Sequence, residues 1–210
     1  MLDYLIIGGG IAGISAAARL SEHGATLVLE AEAHLAYHTS GRSAALYEQN
    51  YGSPSTVALA KAARTDFHGM LSGVLSPRGF LLVCLQGEEA QFEYDLEHMH
   101  LSEVAVADAA KLVPILDGSS VIRTASSATA RDIDTDMMLQ IFARRIHANG
   151  GTVETNQQVT AIDKMKQGWC VTTGSGQYEA QKIVNAAGAW GDEIAQLAGL
   201  PKIGLTPFRR

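Results

Sequence analysis

The chain has 210 residues, 47% of them hydrophobic and 18% charged, enough for one large domain or two interleaved ones with an ample core. Sixteen basic against 22 acidic residues leave a formal net charge of −6, which argues against bulk binding to nucleic acid or anionic lipid, since both need a basic surface. The longest apolar run, Leu5 to Ala18, is interrupted by four glycines and is too short for a bilayer span, and Asp3 sits where a signal peptide needs basic residues.

The first element in chain order is a short apolar run, Tyr4 to Ile7, that fits a strand buried on both faces. Gly8, Gly10 and Gly13 follow it in a G-x-G-x-x-G spacing, and Ile14 to Leu20 continues as an Ala-rich helix broken at Gly24. Thr26 to Leu29 is a second buried strand, and Glu30 ends it. Each glycine has its own physical role. Gly8 permits the tight turn, Gly10 the close approach of a pyrophosphate, and Gly13 the packing of helix on sheet. The pyrophosphate then meets the helix N-terminus, where N–H groups and the dipole favour negative charge. Glu30 is positioned to accept hydrogen bonds from ribose hydroxyls, which disfavours a 2′-phosphate and leaves NAD or FAD.

The stretch from Ala36 to Tyr47, AYHTSGRSAALY, comes next. Thr39 to Ser43 reads as a polar turn, with a helical start expected at Ala44–Ala45; its hydroxyls, backbone N–H groups and guanidinium suit either a phosphate or an ordinary capped loop. Residues 54 to 71 and 87 to 101 read as helices with one apolar face, and RGFLLVCL between them reads as a strand. Asp132, Asp134 and Asp136 alternate, but Met137 and Ala143 stand where a calcium loop needs Gly and Glu, so a helix N-terminus capped at Asp134 or its neighbour is expected. That helix ends at Gly150–Gly151, before a strand at Thr152 to Glu154.

Further strands are expected at Val159 to Met165, Trp169 to Thr173 and Tyr178 to Glu179, with a hairpin turn at Gly174–Gly176. Ile183 to Asn185 reads as a separate buried strand entering a glycine turn and then a helix ended by Gly199 and Pro201. Leu205 and Phe208 alternate with polar residues as if another strand were beginning. The histidines His34, His38, His98 and His100 show no ligand spacing and read as surface residues, His147 suits a helix C-terminus, and no metal site is expected. Cys84 and Cys170 lie far apart, match no metal or redox spacing and read as core thiols of a reducing, cytoplasmic compartment.

The glycine fingerprint closed by Glu30, the HTSGRSAA stretch after it and IVNAAGAWGDEIAQLAG near residue 190 together resemble the D-amino-acid oxidase/glycine oxidase superfamily of flavoenzymes, over the whole chain. Within it, YHTSGRSAALYEQNYG, DIDTD and the closing PFRR look most like the group around D-arginine dehydrogenase. The resemblance implies an α/β fold: a Rossmann-like FAD-binding domain, residues 1–50 and 132–200, interleaved with an incomplete α+β substrate domain, residues 51–131 and 201–210. It implies FAD rather than NAD, with Gly8, Gly10, Ile11, Ala12 and Gly13 at the pyrophosphate, Glu30 at the adenosine ribose and Ala31 also at the cofactor. Thr39, Ser40, Gly41, Arg42, Ser43 and Ala44 would lie along the pyrophosphate-to-flavin stretch, Val159 at adenine, and Ala187, Gly188 and Trp190 over the cofactor.

The implied activity is hydride transfer from the α-carbon of an amine or D-amino acid to flavin, giving an imine that hydrolyses to a keto acid. By the same resemblance Arg210 would be the fork for the substrate carboxylate, with Arg209 beside it, and Tyr51 would lie over the site. Relatives that take cationic substrates are expected to carry an acid near Phe80; Phe80 is apolar, so a preference for arginine is not carried over and an apolar or small side chain is expected. Family chains run well beyond residue 210, which leaves three cases: a fragment of a longer enzyme, the favoured one; one piece of a split enzyme completed by a C-terminal half or second subunit; or an inactive truncation. The partners expected are therefore a small-molecule amino acid or amine, an electron acceptor that no residue identifies, and that missing half. The alternatives kept open are a non-catalytic FAD-binding fragment or subunit and an FAD-dependent 2-hydroxy acid dehydrogenase.

Overall fold

The computed structural model describes residues 1–116 and 120–208. In chain order the first elements are β1 (Leu2–Ile7), α1 (Ile11–Leu20), β2 (Thr26–Leu29), β3 (Leu46–Tyr47), α2 (Pro54–His68), β4 (Leu75–Pro77) and β5 (Phe80–Leu85). There follow α3 (Glu89–His98), β6 (Ser102–Val104), α4 (Val106–Leu112), β7 (Val121–Ser127), β8 (Arg131–Ile133) and α5 (Thr135–Ala148). The chain continues through β9 (Thr152–Glu154), β10 (Val159–Lys164), β11 (Trp169–Thr173), β12 (Gly176–Asn185) and α6 (Gly191–Leu197), with 3₁₀ turns at Thr39–Arg42 and Gly188–Trp190. The fold is mixed α/β, and the chain divides into two compact units, residues 1–43 with 135–210, and residues 44–134.

The first unit is built on a six-stranded sheet of order β10-β11-β12-β1-β2-β9. β1 pairs in parallel with β12 on one side and β2 on the other, and β9 extends the parallel set. Strands buried on both faces explain why LDYLII and TLVL read as nearly continuous apolar runs. By alternation, Leu5, Ile7, Leu27 and Leu29 face one side, where they cluster with Val159, Ile162, Val171 and Ala180. Ile6 and Val28 face the opposite side and are fully buried, as are Ile14, Ala17 and Ala18 of α1 and Ile146 of α5. Helices α1 and α5 are joined at their ends by Arg145 Nη2 to Glu22 at 2.7 Å and by Asn149 Nδ2 donating to Ser21 Oγ at 3.0 Å. The Arg145 hydrogen bond holds the Glu22 carboxyl below its ordinary range.

The two short strands read separately at Tyr178–Glu179 and Ile183–Asn185 are one strand of ten residues, β12. Its first half pairs antiparallel with β11 and its second half parallel with β1, so Ala180 faces Trp169 on one side and Leu2 on the other. No single hydrophobic period describes it, because its two halves belong to different environments. Helix α1 also begins three residues earlier than its apolar pattern, at Ile11, since its first turn lies over the glycine turn.

The second unit holds two three-stranded sheets, β3-β8-β4 and β5-β7-β6. The helical start expected at Ala44–Ala45 does not form: the chain leaves Ser43 in an extended conformation and enters β3, which pairs with β8 through Leu46–Asp132 and Tyr47–Arg131. Pairing with a distant strand overrides the helix preference of two alanines. Phe80 and Leu82 of β5 pack on a core of Cys84, Phe92, Met99, Leu101 and Ala125. Arg123 of β7 binds Glu103 of β6 through Nε at 2.7 Å, pairs with Glu93 of α3, and lies over the Phe92 ring. Glu48 is buried, and its Oε2 accepts from the Ser127 hydroxyl at 2.7 Å.

Residues 201–208 form no strand, contrary to the alternation of Leu205 and Phe208. The buried Asp192 carboxylate takes the backbone N–H groups there: Oδ1 accepts from Ile203 at 3.0 Å, and Oδ2 from Gly204 at 2.9 Å and Leu205 at 2.8 Å. Donors satisfied by a carboxylate have no need of a strand partner.

Candidate cofactor site

The carboxyl ends of β12, β1 and β2 open into a cleft of about 430 Å³. Its walls are the turn after β1, the loop after β2, the segment before β10, and the turn and helix after β12. An open parallel sheet places ligands at its carboxyl edge, in the crevice where neighbouring connections diverge.

Two glycines are fixed by contact distance. Gly8 has φ +113°, and a Cβ there would lie 2.3 Å from the Ala186 carbonyl oxygen. A Cβ on Gly13 would lie 1.9 Å from the Gly8 oxygen, so strand end, turn and helix close on one another with no room for a side chain. Gly10 differs: it lines the cleft, and a Cβ there would meet only Ser40 Oγ, at 3.3 Å. It is also the N-cap of α1, extended at φ −76° and ψ 179°, with no side-chain cap of its own. The Ile11 N–H instead donates to Ser40 Oγ at 3.0 Å. A small backbone surface at a helix N-terminus suits an anionic diphosphate.

Glu30 holds the same turn from the β2 side. Its Oε2 accepts from Gly9 N–H at 2.6 Å and its Oε1 from Glu32 N–H at 2.8 Å, which locks the carboxylate against the cleft. The Glu30 N–H donates to Glu154 O and the Gln157 N–H to Glu30 O, tying the loops after β2 and β9 together. On the far wall, Asn185 Nδ2 donates to Gly191 O at 2.7 Å and its Oδ1 accepts from Ala187 N–H at 3.3 Å, shaping the turn that carries Trp190.

Ten of the residues expected at the cofactor line this cleft: Gly8, Gly10, Glu30, Ala31, Thr39, Ser40, Val159, Ala187, Gly188 and Trp190. Ile11 and Gly13 shape it from behind, while Ala12 lies in the first turn of α1. Gly41 closes the loop, its N–H donating to Ala36 O at 2.8 Å; Arg42 packs over Tyr37 at 5.2 Å; Ser43 ends the 3₁₀ turn. Ala44 and Tyr51 belong to the second unit, where Tyr51 is 60% exposed between β3 and α2. Arg209 and Arg210 lie outside the described residues. Phe80 is half-buried and packs against the core cluster of the second unit.

Several lining residues were not among those expected at the cofactor: Glu32, Ala36, Tyr37, His38, Gln157, Gln158, Glu193 and Ile194. Ala36 has φ +57°, rare for a residue with a side chain, and its N–H donates to Gly9 O at 3.1 Å; this fold-back brings His38, read as a surface residue, to the cleft. Asp132 is engaged by Arg78 at 2.6 Å. Among the described residues no group of acidic, His or Cys side chains is arranged to hold a metal, and no helix is long and apolar enough to cross a membrane.

The sequence profile described as DAO, FAD dependent oxidoreductase, matches residues 3–210. The chain is 28% identical to L-2-hydroxyglutarate dehydrogenase of Escherichia coli (strain K12), over all of this chain and 53% of that protein. It is 24% identical to mitochondrial dimethylglycine dehydrogenase of Mus musculus, over 94% of this chain and 24% of that protein. The chain thus spans about half, or less, of the length of these relatives. Among solved structures it shares its fold with FAD-bound L-α-glycerophosphate oxidase from Mycoplasma pneumoniae, at TM-score 0.83 and 20% identity over 94% of this chain and 57% of that one. Glycine oxidase from Geobacillus kaustophilus matches at TM-score 0.81 and 18% identity, over 94% of this chain and 58% of that one.

Proposed function

The chain belongs to the DAO family of FAD-dependent oxidoreductases, and we propose that it supplies the FAD-binding part of an enzyme that oxidises an amine or D-amino acid at its α-carbon. One observation carries this reading: a cleft at the carboxyl ends of β12, β1 and β2 whose floor is the Gly8–Gly13 turn and whose walls hold Glu30 and Trp190. Its donor set fits FAD, since Gly10 leaves backbone open to a diphosphate and Glu30 offers a carboxylate edge to a ribose.

FAD, when bound, supplies the hydride acceptor. The chain's own residues bind and orient. Gly8, Gly10, Ile11, Ala12 and Gly13 hold the diphosphate, Glu30 the adenosine ribose and Val159 the adenine, with Ala31 beside them at the cofactor. Thr39 to Ala44 follow the cofactor towards the flavin, and Ala187, Gly188 and Trp190 close over it. Residues 51–131 and 201–210 begin the substrate side of the protein. By the family resemblance Arg210 is the residue proposed for the substrate carboxylate, which a guanidinium matches with two parallel hydrogen bonds, and Tyr51 is proposed for the substrate side. Loss of the α-hydrogen as hydride and of a proton from the amine leaves an imine, which water hydrolyses to a keto acid and ammonia.

A second reading has its own support. The similarity to an L-2-hydroxyglutarate dehydrogenase favours oxidation of a C–OH carbon in a 2-hydroxy acid, where the hydroxyl proton is lost in place of the amine proton. Anaerobic addition of D- and L-amino acids, N-methylated amines and 2-hydroxy acids to the FAD-loaded chain separates the readings. Bleaching of the visible flavin absorbance by an amine or D-amino acid is the expected result. Bleaching by hydroxy acids alone selects the second reading, and no bleaching with FAD retained selects a non-catalytic FAD-binding portion.

A further inference from the structure

His38 reaches the cleft from the loop after β2, outside the glycine turn and the acidic strand end that define the fingerprint. Its Nε2 lies 2.8 Å from Glu32 Oε1. On its other side the imidazole sits 4.5 Å from the Trp190 ring, with the planes inclined at 50°, and Tyr37 packs edge-on to it at 5.0 Å. Glu32, Tyr37, His38 and Trp190 all line the cleft. Glu32 and His38 follow β2 while Trp190 follows β12, and these two strands flank β1 on opposite sides. The ring therefore links a carboxylate that follows β2 to an indole that follows β12, by a hydrogen bond to the first and a ring contact to the second.

The tether decides which nitrogen is left for a ligand. Nε2 is committed to Glu32, and among the described residues Nδ1 has no hydrogen-bond partner. A ring whose first nitrogen is fixed by a carboxylate has its orientation set and its second nitrogen presented. Protonated, that second nitrogen is a donor to an anionic oxygen. The loop that carries His38 is itself bonded to the Gly8–Gly13 turn, the part of the site suited to anions, through Ala36 N–H donating to Gly9 O at 3.1 Å.

We propose that His38, oriented by Glu32 and packed on Trp190, is a cofactor-retaining residue that hydrogen-bonds the FAD diphosphate through Nδ1 and clasps the two loops across it. This rests on the reading of the cleft as the FAD site. It adds a ligand to the diphosphate that the fingerprint does not contain, and it gives Glu32 a positioning role distinct from that of Glu30.

Dissociation constants of FAD, ADP and adenosine for the full chain, read by flavin and tryptophan fluorescence, test it on wild type and on His38→Ala, His38→Gln and Glu32→Gln. Loss of one charge-assisted hydrogen bond predicts that His38→Ala weakens FAD and ADP by about tenfold and leaves adenosine unchanged. His38→Gln, which keeps an amide donor, recovers part of that loss, and Glu32→Gln weakens both ligands by a smaller factor. Unchanged FAD and ADP affinity in His38→Ala overturns the inference, as does an equal loss for adenosine, which marks general loosening of the cleft. Thermal unfolding of the ligand-free variants at the wild-type temperature separates a lost contact from a damaged fold. A wild-type chain that fails to bind FAD overturns the underlying reading along with the inference.

Discussion

Gly13 and Gly10 stand three residues apart and face opposite constraints. A methyl group at Gly13 would collide with the Gly8 backbone oxygen, which cannot move without opening the strand-to-helix turn. Gly13→Ala is therefore expected to cost about 1–3 kcal/mol in urea unfolding, the usual range for overpacking, and to reduce FAD binding with it. A methyl group at Gly10 meets only Ser40 Oγ at 3.3 Å and otherwise projects into the cleft. Gly10→Ala is expected to leave the urea midpoint nearly unchanged while weakening FAD by about tenfold or more, since the backbone no longer reaches the diphosphate. Equal loss of stability in the two variants would contradict these assignments. Asp192 makes a different kind of contact. The Ile203 N–H first, and then those of Gly204 and Leu205, hold its carboxyl below the ordinary range against the opposing effect of burial. A group with a lowered folded pKa contributes stability above the ordinary aspartate range, near 3.9, and loses it as pH falls through the lowered folded value. Hydrogen-exchange protection of those three amides, taken relative to their intrinsic rates at the same pH, should fall severalfold in Asp192→Asn at neutral pH and in the wild-type chain on strong acidification; unchanged protection in the variant would show that the carboxylate does not hold the segment. The glycines and Glu30 were legible because each acts within one strand-turn-helix unit. His38 and Asp192 were not, because each acts on residues distant in the chain: His38 on the Trp190 ring, and Asp192 on a segment whose alternation imitated a strand.

At the scale of elements, β1, α1, β2, α5 and β9 follow from periodicity and glycine punctuation, since each sits in one uniform environment. β12 does not. Its polar first half and apolar second half reflect two different neighbours, β11 and β1, and the sequence between Glu179 and Ile183 contains no signal that one strand crosses from one to the other. The short strands β3, β4 and β8 are likewise defined by their pairing and have too few residues for a period to register. The buried residues of α5 are Leu139, Phe142 and Ile146, the last of them fully buried. Ile146→Ala is expected to destabilise the protein by about 2–5 kcal/mol, the sum of lost burial and a retained cavity. A loss below about 1 kcal/mol in urea unfolding would mean that α5 is not part of the cooperative core that supports the cleft.

For the molecule as a whole, the cleft lies entirely within the first unit, built from residues 1–43 and 135–210. The residues that line it all belong to that unit, in a chain that spans about half or less of the relatives it resembles. A ligand that binds only the folded state stabilises it by mass action, so FAD at one hundred times its dissociation constant should add about 2.7 kcal/mol and raise the unfolding temperature, while NAD at the same concentration should not. The most direct test is the visible absorption spectrum of the chain after incubation with FAD and removal of free ligand by gel filtration. One tightly held flavin per chain is expected, with a spectrum shifted from that of free FAD, and its displacement by ADP. A colourless protein after gel filtration, or flavin that ADP does not displace, would contradict the placement of the cofactor between the Gly8–Gly13 turn, Glu30 and Trp190.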